Sequence, residues 1–150
     1  AIKAKIPTLV LVRNPEDAII SHIIYSQNLT IRQCLNSYID FYAPLLKYKD
    51  EFITAKFEEV ISDFGEITQR INQKFSTAFC EFDHCQDNVD RCFHVLENSW
   101  KDLGMKEQKA VTNSPSKKRK RYKEILRRHY YAEDLSELRN SALEIYQSYL

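Results

Sequence analysis

The chain has 150 residues, with 22 basic and 21 acidic side chains and a formal net charge of +1 at neutral pH. This length fits one domain or part of one, and the 43% of hydrophobic residues is enough for a core. The balanced charge gives no general argument for nucleic acid or a membrane surface as partner. No apolar run approaches the ~18 residues that predict a membrane-spanning helix, and no signal-peptide pattern is seen.

The first predicted elements are a strand and the helix that follows it. The apolar run Leu9 to Val12 predicts a buried strand of a parallel sheet. Asn14 suits the N-cap of a helix, Pro15 suits its first position, and the two acids that follow suit its positive end. We therefore expect a strand that ends at Arg13 and a helix that begins directly after it.

Arg13 and Ser21 are the candidate binding residues of this unit. Ser21 falls two turns into the helix, on a side that can return towards Arg13. In α/β proteins, ligands bind at the carboxyl edge of the parallel sheet. The arrangement predicts a phosphate site, and the alternative is an ordinary strand-to-helix turn with an exposed arginine.

The rest of the chain is predicted to be mostly helical. Thr30 suits an N-cap, and Pro44 is expected to kink the second helix or to mark its last turns. A second strand is predicted over Phe52 to Phe57, and a polar loop over Gly104 to Ser116. Helices are predicted over Pro15 to Ser26, Ile31 to Tyr48, Glu66 to Thr77, Asn88 to Leu103, Lys117 to Tyr131 and Leu135 to Leu150.

The spacing Arg-Asn-Pro-x-Asp-x-x-x-Ser, from Arg13 to Ser21, resembles the 3'-phosphate-binding motif of the sulfotransferase family. These enzymes transfer a sulfuryl group from 3'-phosphoadenosine 5'-phosphosulfate to an acceptor, leaving adenosine 3',5'-bisphosphate. In the family, the arginine and the serine of this motif hold the donor's 3'-phosphate. The resemblance assigns that role to Arg13 and Ser21.

A second block supports the resemblance. Phe57-Glu58-Glu59 stands where the family has Tyr-Glu-Asp at the end of a strand, and the family's tyrosine lies near the adenine. Phe57 keeps an aromatic surface for stacking but has no hydroxyl. The alternative for this residue is a half-buried aromatic side chain of the strand, followed by solvated acids.

A basic run follows the predicted loop. Bacterial sulfotransferases tend to show a Ser-x-Pro-Ser-x-x-Arg-like segment before two terminal helices, and the segment from Asn113 to Arg119 is similar to it. The resemblance places Arg119 and Lys118 near the donor phosphate. A solvated helix face and a nucleic-acid or nuclear-localisation patch are the alternatives.

The resemblance implies an α/β fold of the P-loop-NTPase-like sulfotransferase type, in which helices flank a parallel sheet. Residues 1–150 correspond to the C-terminal half of that domain, with the 3'-phosphate site and the terminal helices. The family's catalytic base and its 5'-phosphosulfate loop lie upstream of the motif, and only twelve residues precede Arg13 here. The chain has two glycines and no glycine-rich phosphate loop. We therefore expect either a piece of a longer enzyme or a remnant that cannot react alone.

The predicted function is sulfuryl transfer to a hydroxyl or amine of a small-molecule or glycan acceptor, with the catalytic residues unassigned. The alternatives are a non-catalytic nucleotide-binding or partner-binding module and a kinase-like phosphotransferase. Neither nucleic acid nor metal is expected as a partner. A cytoplasmic location is expected from the cysteines and the bacterial-like tail.

The cysteines leave three interpretations open. Cys80, Cys85 and Cys92 lie close together in the chain, with His84 and His94 among them. They are free thiols, or one pair forms a disulfide, or they contribute to a metal site, although the spacing matches no zinc motif. A fourth cysteine in the second predicted helix, Cys34, is expected to be a small buried residue.

Overall fold

A computed structural model describes residues 4–26, 28–102 and 117–150. The chain is helix-rich, with a small parallel sheet of two strands. The strands are β1 (Leu9–Val12) and β2 (Ile53–Lys56). The α-helices are α1 (Pro15–Tyr25), α2 (Ile31–Tyr42), α3 (Phe57–Ser62), α4 (Phe64–Phe75), α5 (Gln86–Asp102), α6 (Lys117–Tyr130) and α7 (Ser136–Gln147). Two 3₁₀ segments cover Ala43–Glu51 and Glu133–Leu135.

The architecture is α/β in the coarse sense, as expected, and the two strands are parallel. The finer sulfotransferase fold stays a prediction. In the described ranges no helix combines the length and the apolar character needed to cross a bilayer.

The caps of the first two helices match the sequence pattern. Asn14 accepts a hydrogen bond from the backbone N–H of Glu16 at 3.0 Å, and Pro15 opens α1. Thr30 and Gln33 form a reciprocal capping box at the start of α2. These short-range contacts satisfy donors that a helix start otherwise leaves unpaired.

Several predicted boundaries were wrong. The α-helical part of α2 ends at Tyr42, because Pro44 has no N–H to continue the helical hydrogen bonds, and a 3₁₀ segment follows. The second strand ends at Lys56, so Phe57 opens α3 instead of closing a strand. α4 begins at Phe64, two residues early, since Asp63 caps it by accepting from Glu66. The predicted loop from Gly104 to Ser116 lies outside the described residues.

The main core lies between four helices. The side chains of Ile20 and Leu35 are almost completely buried between α1 and α2. Leu126 and Tyr130 extend this core from α6, and Ala142 extends it from α7. The last helix therefore contributes to the main core.

The residues of the sheet are buried to different extents. Val10 and Val12 pack with Phe52 and Tyr149 in a second cluster, whereas Leu11 is 41% exposed on the other face. The prediction of a buried first strand thus holds for Val10 and Val12 and is wrong for Leu11. Cys34 is buried in α2, as predicted.

Side chains occupy the outer edges of the sheet. The hydroxyls of Tyr42 and Tyr38 donate hydrogen bonds to the carbonyls of Leu11 and Arg13 at 2.7 and 2.8 Å. On β2, Arg70 donates to the carbonyl of Thr54 at 2.6 Å. These bonds satisfy edge carbonyls that have no neighbouring strand.

Alkaline pH is expected to destabilise the fold through its buried phenols. Burial is the largest cause that raises the pKa of Tyr130, to about 12. A phenol with a raised pKa keeps its stabilising contribution below its unfolded pKa of about 10 and loses it as the pH rises through the folded value. The free energy of unfolding of the wild type should therefore fall more steeply above about pH 10 than that of Tyr130→Phe, as measured by urea denaturation.

Tyr122→Phe is the matched control, because Tyr122 is 45% exposed on the same helix and should follow the wild-type curve. Parallel curves for wild type and Tyr130→Phe would contradict the prediction.

Candidate functional site

The turn between β1 and α1 holds Arg13 by its backbone. The N-cap of Asn14 sets the direction of the chain on one side of Arg13, and the pairing of β1 sets it on the other. The hydroxyl of Tyr38, a buried residue of α2, donates to the Arg13 carbonyl at 2.8 Å. The arginine therefore projects from a rigid position at the carboxyl end of the strand.

The Arg13 side chain lies against an aromatic ring. Its guanidinium carbon is 3.9 Å from the centroid of the Phe57 ring. Its Nε is buried, and it forms no hydrogen bond with any of the described residues. A buried donor without an acceptor costs about 1–3 kcal/mol. An oxyanion beside the guanidinium would supply the acceptor.

Ser21 and Arg119 meet across the contact between α1 and α6. A terminal nitrogen of Arg119 donates a hydrogen bond to Oγ of Ser21 at 3.0 Å, although 98 positions separate the two residues. Burial, and then the positive charge of Arg13, lower the pKa of Arg119. The two guanidinium groups are thus close enough to repel each other, and a bound anion would relieve that repulsion.

Acidic residues at the start of α1 hold α6 in place. Glu16 forms an ion pair with Arg127 at 2.7 Å and also accepts a hydrogen bond from the Tyr131 hydroxyl. Asp17 lies 3.7 Å from the same arginine. The hydrogen bond with Glu16 raises the pKa of Arg127.

Lys123 is one helical turn from Arg119 and one turn from Arg127, so these residues share a side of α6. Burial is the largest influence on the pKa of Lys123 and lowers it. Asp17 raises that pKa, while the charges of Arg13, Arg119 and Arg127 lower it further. Lys123 therefore lies within the electrostatic reach of the Arg13 site.

The structure brings together most of the residues proposed from the sequence. Arg13 contacts Phe57, Ser21 contacts Arg119, and the charge of Arg13 acts on Arg119. Lys118 belongs to α6, but its side chain lies outside the described residues. Sequence reasoning missed Lys123 and Tyr38. The spacing of four residues from Arg119 was a signal for Lys123, whereas the contact of Tyr38 depends on tertiary packing.

A groove between α1 and α2 lies apart from this cluster. It has a volume of about 300 Å³, and His22, Ser37 and Phe41 contribute to its lining. His22 faces α2 in this groove, whereas Ser21 faces α6. The groove is therefore on another side of α1 from the contact between Ser21 and Arg119.

The cysteines do not form a common site in the structure. Cys80, Cys85 and Cys92 are exposed free thiols. Nδ1 of His84 instead accepts a hydrogen bond from the backbone N–H of Phe64 at 3.2 Å. Within the three described ranges, no cluster of His, Cys, Asp and Glu side chains could hold a metal ion.

The cluster of Arg13, Ser21 and Arg119 provides what an oxyanion needs. Two guanidinium groups supply charge and several N–H donors, and a serine supplies a hydroxyl donor. Arg13 directly follows the first strand, and Ser21 and Arg119 lie on two helices that contact each other. Comparisons of the chain with protein-family models, with curated proteins and with solved structures find no match.

Removal of the Arg127 ion pairs should loosen α6 from α1. Because Arg127 is about half exposed, we expect Arg127→Ala to lower the free energy of unfolding by about 0.5–1 kcal/mol. Faster hydrogen exchange of α6 amides should accompany this loss, and high salt should reduce the difference from wild type.

Arg128→Ala is the control, since Arg128 is the exposed neighbour on the same helix. Equal exchange rates for α6 in wild type and Arg127→Ala would show that the ion pairs do not hold the helix.

Proposed function

We propose that this chain binds the 3'-phosphate of adenosine 3',5'-bisphosphate compounds, as part of a sulfotransferase that uses 3'-phosphoadenosine 5'-phosphosulfate. The observation that carries the proposal is the hydrogen bond between Ser21 and Arg119, within the electrostatic reach of Arg13, whose buried Nε lies just after the end of β1. The residues come from two distant parts of the chain, and both parts resemble the sulfotransferase pattern.

The residues present fit a phosphate monoester. The guanidinium of Arg13 offers Nε and its terminal nitrogens, Arg119 offers a second planar group of donors, and the Ser21 hydroxyl can turn from accepting to donating. Charge-assisted hydrogen bonds of this type are among the strongest in proteins. The half-buried setting strengthens them, because the local dielectric constant is lower than in water.

The role of this chain in the reaction would be to bind the nucleotide donor and to orient it. The bound donor supplies the activated sulfuryl group. Arg13, Ser21 and Arg119 would hold the opposite end of the nucleotide, and so restrict its rotation. In many enzymes, orientation of a bound reactant by remote contacts lowers the activation free energy by several kcal/mol. None of these residues is assigned a part in bond making.

A non-catalytic nucleotide-binding module is the second candidate. It needs only the residues that hold the 3'-phosphate, whereas a glycine-rich phosphate loop upstream of these residues would favour the enzyme. Such a module would bind adenosine 3',5'-bisphosphate with the same residues and would transfer no sulfuryl group. A transfer assay with radiolabelled donor and a panel of phenol, alcohol, amine and sugar acceptors separates the two candidates.

The test of the phosphate site is a titration with adenosine 3',5'-bisphosphate. Arg13→Ala and Arg119→Ala should each weaken binding by about 2–4 kcal/mol, or roughly thirtyfold to a thousandfold. Ser21→Ala removes a neutral hydroxyl and should cost about 1 kcal/mol. Isothermal titration calorimetry measures these differences.

Two controls accompany the titration. Arg128→Ala keeps the helix and removes one exposed arginine, so it should bind as the wild type does. Adenosine 5'-monophosphate has no 3'-phosphate, and its weaker binding should be insensitive to Arg13→Ala. Unchanged affinity of Arg13→Ala for the bisphosphate would refute the assignment, whereas tight binding of ATP with Mg²⁺ instead would favour the kinase-like alternative.

A further inference from the structure

Phe57 is placed beside Arg13 by the register of the two strands. Val12 lies opposite Lys56 in the parallel pair, and these are the last residues of β1 and β2. The next residue of each chain segment is therefore Arg13 on one side and Phe57 on the other. The pairing of the backbone itself brings the cation and the ring to the same point of the sheet edge.

The contact is a close one. A distance of 3.9 Å between the guanidinium carbon and the ring centroid is well inside the range of a cation–π contact. One face of the ring is therefore covered by Arg13. The same contact helps to bury Nε of Arg13, which has no acceptor among the described residues.

We propose that Phe57 is a positioning residue for Arg13 and does not serve as a stacking platform for a nucleobase. The ring limits the planes in which the guanidinium can lie, while the charge of Arg13 stays within electrostatic reach of Arg119. A stacked guanidinium keeps all its N–H donors available in its own plane, because the contact uses its face. The identity of the anion rests on the proposed function, but the contact between Arg13 and Phe57 does not.

This role also explains why a phenylalanine suffices at a position where the family resemblance suggests a tyrosine. A guanidinium that stacks on a ring needs its π-surface and makes no use of a hydroxyl. Recognition would then depend on the phosphate that Arg13 holds. The ligand class is a phosphorylated sugar or nucleotide in which the base contributes nothing through Phe57.

The first test needs no ligand. The Nε–Hε signal of Arg13 is assigned by NMR from its loss in Arg13→Lys. Ring currents from Phe57 should shift this signal away from those of exposed arginines. Phe57→Leu should abolish the shift, and Phe57→Tyr should keep it. Phe79→Leu is the matched control, because Phe79 is 53% exposed and its removal should leave the signal in place.

The second test compares two ligands that differ only in the base. Adenosine 3',5'-bisphosphate and ribose 3,5-bisphosphate carry the same two phosphates. Phe57→Leu should weaken the binding of both by the same factor, roughly three- to tenfold, while Phe57→Tyr restores the wild-type affinity. A loss confined to the adenosine compound would overturn the proposal and make Phe57 a base platform.

The two tests separate this inference from the proposed function. If the wild-type chain binds neither bisphosphate, the proposed function fails, while the Arg13 signal still decides whether Phe57 positions the guanidinium. An Arg13 signal that does not respond to Phe57→Leu would overturn the positioning role even if both ligands bind.

Discussion

The proximity of two guanidinium groups is the constraint around which the site is arranged. Arg13 and Arg119 lie near enough for the charge of one to lower the pKa of the other, and both are partly buried. Burial and like-charge repulsion each oppose this arrangement in a protein without a bound anion. The surrounding structure must therefore hold both side chains in place. It does so with the pairing of β1 and β2 on one side and the docking of α6 on the other.

The acidic residues at the start of α1 serve two purposes. Near the N-terminus of a helix, Glu16 and Asp17 interact favourably with the helix dipole. They also pair with Arg127, and Asp17 attracts Lys123, so these basic residues of α6 lie on the side towards α1. The aspartate of the motif from Arg13 to Ser21 thus acts through the helix that carries Arg119.

The elements that could be predicted from the sequence depend on neighbouring residues. The end of β1, the cap at Asn14, the start at Pro15 and the capping box at Thr30 all follow from side chains within a few positions. The end of β2 could not be predicted in this way. Phe57 continues an apolar pattern, but the side chain of Glu59 accepts a hydrogen bond from the N–H of Lys56 at 2.7 Å and starts a helix instead.

The same distinction applies to the residues of the candidate site, since some follow from a local motif and others depend on tertiary contacts. Arg13 and Ser21 could be proposed from one short motif, because a single strand and helix carry both. Arg119 was proposed only through a family resemblance, since no local rule brings residues 98 positions apart into contact. The contact between Arg13 and Phe57 needed the register of Val12 opposite Lys56, which no single segment encodes.

The position of Tyr38 shows how the core supports the site. This residue is buried in α2, and its hydroxyl is bonded to the carbonyl of Arg13. Burial is the largest cause that raises its pKa, so the phenol stays protonated as a donor well above neutral pH. The hydrophobic core and the backbone of Arg13 are therefore joined by a neutral hydrogen bond. A neutral tether leaves the positive potential of the site available to an anion, whereas a carboxylate at the same place would compete with it.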